Sequence, residues 1–266
     1  MRRAKLVEAR KAGGKTQETV GEEVGVDRTT VGSWERGEST PYPQQRPAYA
    51  EALGVTLSEL AAMLSSMPAD IDEMPAWLAT YLAMEQSATE LRAHEPEVVY
   101  GLLQSPDYAA EIARGVGTTP TPDSYVQRNV EQRRYRQRRV RDGDLHLDVV
   151  QTEQVLHLRF GDAGVMAEQL TRMADLAELP NVTIRITTFD AGQYEAHRLD
   201  TFTIMTHAWG TPNVYLEGYG GGRFITEADE VAYFADAFDQ ATKVALSPAD
   251  SVAFIREMAS KWEARR

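Results

Sequence analysis

Thr16-Gln-Glu-Thr-Val-Gly-Glu-Glu-Val-Gly-Val-Asp-Arg-Thr-Thr-Val-Gly-Ser-Trp-Glu-Arg-Gly37 is the stretch on which the reading of the chain turns. Two short helices that cross steeply need a shared apolar core, a tight turn and a small residue at their closest approach. Val20, Val24, Val26, Val31 and Trp34 supply the core, Gly25 the turn and Gly21 the close approach. Asp27 is placed to cap the second helix through its carboxylate. All these demands are met in register, so the stretch predicts a helix-turn-helix.

Helical spacing splits the second of these helices into two faces. Val31 and Trp34 point inward, with Asp27 and Glu35 at the margin; Arg28, Thr29, Gly32, Ser33 and Arg36 share the outward face. Laid in a major groove, such a helix brings Arg28, Thr29 and Ser33 to base edges. Arginine suits the two acceptors of guanine, and a threonine methyl suits that of thymine. Lys15, Gln17 and Arg36 are candidates for phosphate contacts. Glu35, beside the buried stripe, is expected to form a structural ion pair with Arg10 on the preceding helix.

Outward from this motif, glycines punctuate further short helices at 2–11, 45–53 and 57–64, giving an all-α domain over 1–66. Pro68 and Pro75 bracket an expected linker at 67–74. The remainder, 75–266, mixes both periods. Helices are predicted at 76–93, 106–114, 123–141, 165–178, 227–243 and 248–264, and strands around 145–149, 182–186, 201–205 and 213–217. That pattern is an α+β domain with a small sheet. Gly218-Tyr-Gly-Gly-Gly222 lacks the lysine and hydroxyl residue of a phosphate loop and reads as a turn or loop.

The bulk numbers fit. The net charge is −12 over 266 residues, which argues against a wholly nucleic-acid-binding surface. The imbalance is local, because residues 1–60 carry nine basic and nine acidic side chains and the rest 19 against 31. Within the first fifteen residues six are basic and only Glu8 is acidic. An acidic body with a basic tip is compatible with DNA docking at the tip. The absence of cysteine excludes disulfides, thiolate metal sites and a cysteine nucleophile. No apolar run approaches membrane-spanning length, and the basic N-terminus lacks the apolar stretch of a secretion signal, so a cytoplasmic location is expected.

The Thr16–Gly37 stretch resembles the Cro/C1 (XRE) type of phage and bacterial repressors, and Tyr49-Ala-Glu-Ala-Leu-Gly-Val-Thr-Leu-Ser-Glu-Leu60 is similar to its closing helices. By that resemblance the groove positions correspond to Arg28, Thr29 and Ser33, with Gln17 on the backbone. Gly21 stands where alanine is usual, and Gly32 where a polar residue often helps contact DNA. Several later stretches look like the C-terminal domain of actinobacterial WhiJ-like, antitoxin-like regulators: Tyr100-Gly-Leu-Leu-Gln-Ser-Pro-Asp-Tyr108, Arg133-Arg134, Gln169-Leu170, Pro180-Asn-Val-Thr-Ile-Arg185 and Val214-Tyr-Leu-Glu217. Tyr100 replaces the proline usual in the first. This resemblance implies a partner in a small protein encoded nearby and carries over no site residues for the second domain.

The expected function is a transcriptional regulator, binding a double-stranded DNA operator as a homodimer and modulated by a small partner protein or ligand. The alternative is an enzyme or small-molecule sensor with an appended DNA-binding module, which a deep pocket with converging polar groups would favour. His94, His146, His157, His197 and His207 show no metal-ligand spacing, no Gly-x-Ser-x-Gly elbow exists, and no cofactor, metal or catalytic residue is expected. The seven arginines of Arg128–Arg141 are expected to pair with acids of their own domain; an auxiliary DNA contact or a dock for an acidic partner stays open.

Overall fold

A computed structural model describes residues 3–42, 45–64, 76–115, 120–208, 210–218 and 221–266. The chain divides into two compact units, residues 1–88 with 206–211, and residues 89–205 with 212–266. The expected linker, 67–74, lies outside the described residues.

The first unit contains α1 (Ala4–Ala12), α2 (Gln17–Val24), α3 (Arg28–Arg36), α4 (Arg46–Leu53), α5 (Leu57–Leu64) and α6 (Ala76–Ser87). Local chemistry sets the boundaries. The Thr16 hydroxyl caps α2 by accepting from the Thr19 N–H, and the Asp27 carboxylate caps α3 by accepting from Thr29 and Thr30. Leu6, Val20, Val31, Trp34, Tyr49, Leu53 and Leu60 form the core on which α1 to α5 close. Trp34 and Tyr49 meet with ring centroids 4.9 Å apart.

The second unit is built on a six-stranded mixed sheet, in the order β3-β2-β1-β4-β5-β6. Its strands are β1 (Ala88–Glu95), β2 (His146–Thr152), β3 (Val182–Thr187), β4 (Phe202–His207), β5 (Gly210–Gly218) and β6 (Gly221–Ile225). β1, β2 and β3 run parallel, with Leu91 opposite Leu147 and Leu147 opposite Val182. β4 runs against β1, because Thr201, just before β4, hydrogen-bonds Glu95 at the end of β1. β5 and β6 form an antiparallel pair closing with Gly218 opposite Gly221. α7 (Pro106–Arg114), α8 (Asp123–Arg136) and α9 (Arg138–Arg141) connect β1 to β2, and α10 (Gln154–His157) and α11 (Ala163–Leu176) connect β2 to β3. α12 (Ala228–Val244) and α13 (Pro248–Glu263) close the chain. Phe234 and Phe238 of α12 pack with Phe202, Ile204 and Val214 of the sheet.

Three sequence expectations are corrected here. The helix expected over 76–93 stops at Ser87, and Ala88-Thr-Glu-Leu-Arg-Ala-His-Glu95 is strand β1. Its residues are good helix formers, but Leu91, Ala93 and His94 are fully buried in the sheet, and packing overrides local preference. Of the stretch read as a turn or loop at 218–222, Gly218 ends β5 and Gly221 and Gly222 belong to β6, a strand rich in glycine that no alternating pattern announced; residues 219–220 lie outside the described residues. The arginine-rich helix also breaks at Gln137. That side chain turns inward, donating to the Gln104 carbonyl at 2.7 Å and accepting from Arg172 at 2.7 Å.

Two buried amide side chains tie the elements of the second unit together. Gln169 accepts from the Ser105 N–H at 2.6 Å and donates to the Leu103 carbonyl at 3.0 Å. Asn181 donates to the carbonyls of Val140 and Leu145, both at 2.8 Å. Buried backbone polar groups need such partners, which accounts for amide side chains in otherwise apolar surroundings.

Candidate nucleic-acid interface

The angle between α2 and α3 is set by a backbone contact. A Cβ at Gly21 would stand 2.6 Å from the Val26 carbonyl oxygen and 3.3 Å from the Asp27 carbonyl carbon. Gly25 then turns the chain at a φ of 76°, in the left-handed region that glycine enters without penalty. α3 leaves this turn with its axis fixed from both sides, by the Asp27 cap at its start and by Val31 and Trp34 beneath it.

A buried polar cluster reinforces the arrangement. Glu35 is 3% exposed, and its Oε1 accepts from Arg10 Nε at 2.6 Å. Its Oε2 accepts from Arg10 Nη2 at 3.1 Å and from Gln17 Nε2 at 2.7 Å. Arg10 also donates to the Lys15 carbonyl at 2.9 Å. Its hydrogen bond to Glu35 outweighs burial and raises the guanidinium above its ordinary value. One carboxylate thereby ties α1, α2 and α3 together. The sequence makes Gln17 a candidate for a phosphate contact, whereas its amide here donates to Glu35.

On the outward face, Arg28 is exposed and has no side-chain partner among the described residues. Thr29 is exposed too, and its hydroxyl donates to Asp27. That bond, followed by the Thr30 N–H, holds the Asp27 carboxyl below the usual carboxylate range. The hydroxyl proton is thus engaged, which leaves the oxygen lone pairs and the methyl of Thr29 free. Ser33 lies half-buried, hydrogen-bonded to Ser39 at 2.8 Å. Gly32 is not on the outward surface as the spacing suggested. It is buried, and a Cβ there would meet Arg36 Nη1 at 2.9 Å and the Gln17 amide at 3.5 Å.

Each candidate phosphate-binding cation rests on an acid. Lys15 Nζ lies 2.7 Å from Glu23, and Arg36 makes a two-pronged pair with Glu38 at 2.7 and 2.8 Å. Arg36 is raised and Glu38 lowered by that mutual hydrogen bond. Such solvent-exposed pairs are weak and screened by salt, so an anion can displace them. No signal in the sequence pairs these residues, because the partners lie eight and two positions away and outside the helical i, i+4 rule.

Among the described residues, no group of three or more His, Asp or Glu side chains is placed to hold a metal ion, and no helix is long and apolar enough to cross a membrane.

Comparison with known proteins agrees with this geometry. Residues 6–60 match the helix-turn-helix family model, covering α1 to α4 and the start of α5. Residues 78–257 match the family described as a domain of unknown function, DUF5753. No curated protein and no solved structure matches the chain.

Proposed function

The chain belongs to the DUF5753 family and carries the helix-turn-helix of an XRE-family DNA-binding transcriptional regulator, and from that premise we propose that it is an antitoxin-like, sequence-specific regulator whose second unit controls operator occupancy. In this reading α3 enters the major groove. Arg28, Thr29 and Ser33 meet base edges, while Lys15, Gln17 and Arg36 meet phosphates, the first and last after exchanging Glu23 and Glu38 for DNA. The observation that carries the reading is the state of α3: capped and anchored on its inner side, with Arg28 exposed and uncommitted on its outer side.

One recognition helix reads only a short half-site, so the protein acts as a homodimer on half-sites about one turn, roughly 34 Å, apart. The second unit takes a small partner protein or a ligand, and the regulator works in the cytoplasm, where its DNA is. A small-molecule sensor with an appended DNA-binding module is the second reading. It draws on a cavity of about 910 Å³ at the carboxyl ends of β1, β2 and β3.

Selection from a random duplex library with the full chain, followed by ultracentrifugation with the enriched duplex, tests the proposal. Enrichment of a two-fold repeated motif bound by two chains supports it. Failure to enrich any sequence refutes specific DNA binding, and one chain per duplex refutes the homodimer.

A further inference from the structure

The cavity of the second unit lies where an open sheet of this topology gathers ligands. The chain leaves β1 toward β2 and β3 on one side, while β4 flanks β1 on the other. The strand order reverses at β1, and crevices outside the carboxyl ends of parallel strands at such a switch point are the usual ligand sites of open α/β sheets. Here the last residues of all three parallel strands, Glu95, Thr152 and Thr187, line one space of about 910 Å³. The segment leading into β4 and the last two residues of β5, Glu217 and Gly218, complete its wall. That volume falls within the range of small-molecule sites.

Its floor carries an unusual group. Glu95 is 7% exposed, and its Oε1 accepts from the Glu97 N–H at 3.1 Å, the Val98 N–H at 3.4 Å and the Thr201 hydroxyl at 3.1 Å. Oε2 has no donor among the described residues, and no cationic side chain pairs with the carboxylate. Buried carboxylates are almost always paired or neutralised. Around the rim stand Glu97, Asp200 and Glu217, against the single guanidinium of Arg198 and the His197 imidazole. Phe189, 67% exposed, lies in the same wall with Tyr194, and aromatic faces attract cations.

The geometry points to a binding site for a small organic amine, its ammonium seated on Glu95 Oε2 and its hydroxyl or apolar parts against Thr152, Thr187 and Phe189. A cation supplies the one partner that the carboxylate lacks. It also meets four carboxylates where an anion would meet repulsion. Burial, with a smaller contribution from Glu217, pushes the Glu95 carboxyl up to about 7. That is the behaviour of an acid whose counter-ion is not part of the chain. His94, next in sequence and fully buried, is held neutral with its ring pushed down to about 4 by burial and by His197, so it does not compete as the cation. This inference deepens the sensor reading of the second unit and is tested without DNA.

Calorimetric titration of the full chain with spermidine and with glucosamine, beside glucose and glutamate as neutral and anionic controls, is the experiment. Saturable 1:1 binding of at least one amine is expected, with no binding of either control. Glu95→Gln keeps an acceptor for the Glu97 and Val98 N–H groups but removes the charge, and should weaken amine binding at least tenfold. Glu217→Gln, at the exposed rim, should weaken it severalfold, and Glu178→Gln, a surface position outside the cavity, should leave it unchanged. Binding should also weaken as pH falls below about 7 in the parent and lose that dependence in Glu95→Gln. Absence of saturable binding to both amines overturns the inference, as does binding that Glu95→Gln and Glu217→Gln leave intact. Since duplex binding is measured separately, loss of the amine site with DNA binding retained removes this inference alone.

Discussion

Removing Arg10 should loosen the whole DNA-binding unit, although Arg10 itself touches no DNA in the proposed complex. Arg10→Ala deletes both guanidinium bonds to Glu35 and the bond to the Lys15 carbonyl, and leaves Glu35 with Gln17 as its remaining side-chain donor. Breaking a buried pair by removing one partner costs roughly 3–5 kcal/mol, because the other charge stays behind without compensation. The Arg10 side chain is 11% exposed and that of Glu35 4%, so water reaches the site slightly and the lower end, about 3 kcal/mol, applies. Gln17→Ala should cost less, about 1 kcal/mol, since Arg10 still satisfies the carboxylate. Amide hydrogen exchange read by mass spectrometry on the full chain isolates the local effect. Opening of the 17–36 peptides should speed up by roughly two powers of ten in Arg10→Ala, with the second unit unaffected. The double variant Arg10→Met, Glu35→Met replaces the pair with apolar volume and should recover most of the loss. If it loses as much protection as Arg10→Ala alone, an unpaired buried charge is not the cause, and the reasoning fails.

Gly21→Ala gains up to about 1 kcal/mol of helix preference but places a Cβ 2.6 Å from the Val26 carbonyl oxygen, which only a wider α2–α3 angle can relieve. Overpacking of this kind costs about 1–3 kcal/mol, so specific duplex affinity should fall and protection of 17–36 should not rise; a gain in both would show that the helices do not touch there. The neighbours His94 and Glu95 should give opposing pH slopes of stability. His94 is depressed from 6.5 to about 4, so the unfolded chain binds the extra proton between those values and stability rises with pH there. Glu95 is raised from 4.5 to about 7, so the folded chain binds the extra proton and stability falls with pH across that window. Urea unfolding at stepped pH should thus be steeper and rising in Glu95→Gln, and falling toward pH 7 in His94→Gln; parallel curves for parent and both variants would contradict the assignment.

The first unit was readable because its signals are local. Thr16, Gly25 and Asp27 act within a few residues of their own positions, and α1 to α5 begin or end within two residues of the bounds expected from glycines and apolar spacing. The main departure there is Gly32. Spacing assigns it outward, but the Arg36 and Gln17 side chains fold over it and bury it, which spacing cannot reveal. The second unit was legible where alternation or helical periodicity was strong, as in β2, β3, α11 and α12. It was misread at β1, whose Ala, Leu, Glu and Arg favour helix and become a strand only because β2 and β4 flank it. The cavity was not visible in sequence at all. Its lining gathers residues from 95 to 218, and no motif separates the buried Glu95 from a surface glutamate.

The central claim, that α3 reads bases while its flanks hold phosphates, is tested most directly by one pair of titrations. Arg28→Ala and Lys15→Ala are compared by fluorescence anisotropy on the selected duplex and on its scrambled counterpart, across a series of salt concentrations. Arg28→Ala should lose roughly 1–3 kcal/mol on the selected duplex, about 5- to 150-fold in affinity, and little of that on the scramble. Lys15→Ala should weaken both duplexes about equally and reduce the salt slope by about one. Equal losses on both duplexes for Arg28→Ala would contradict the account.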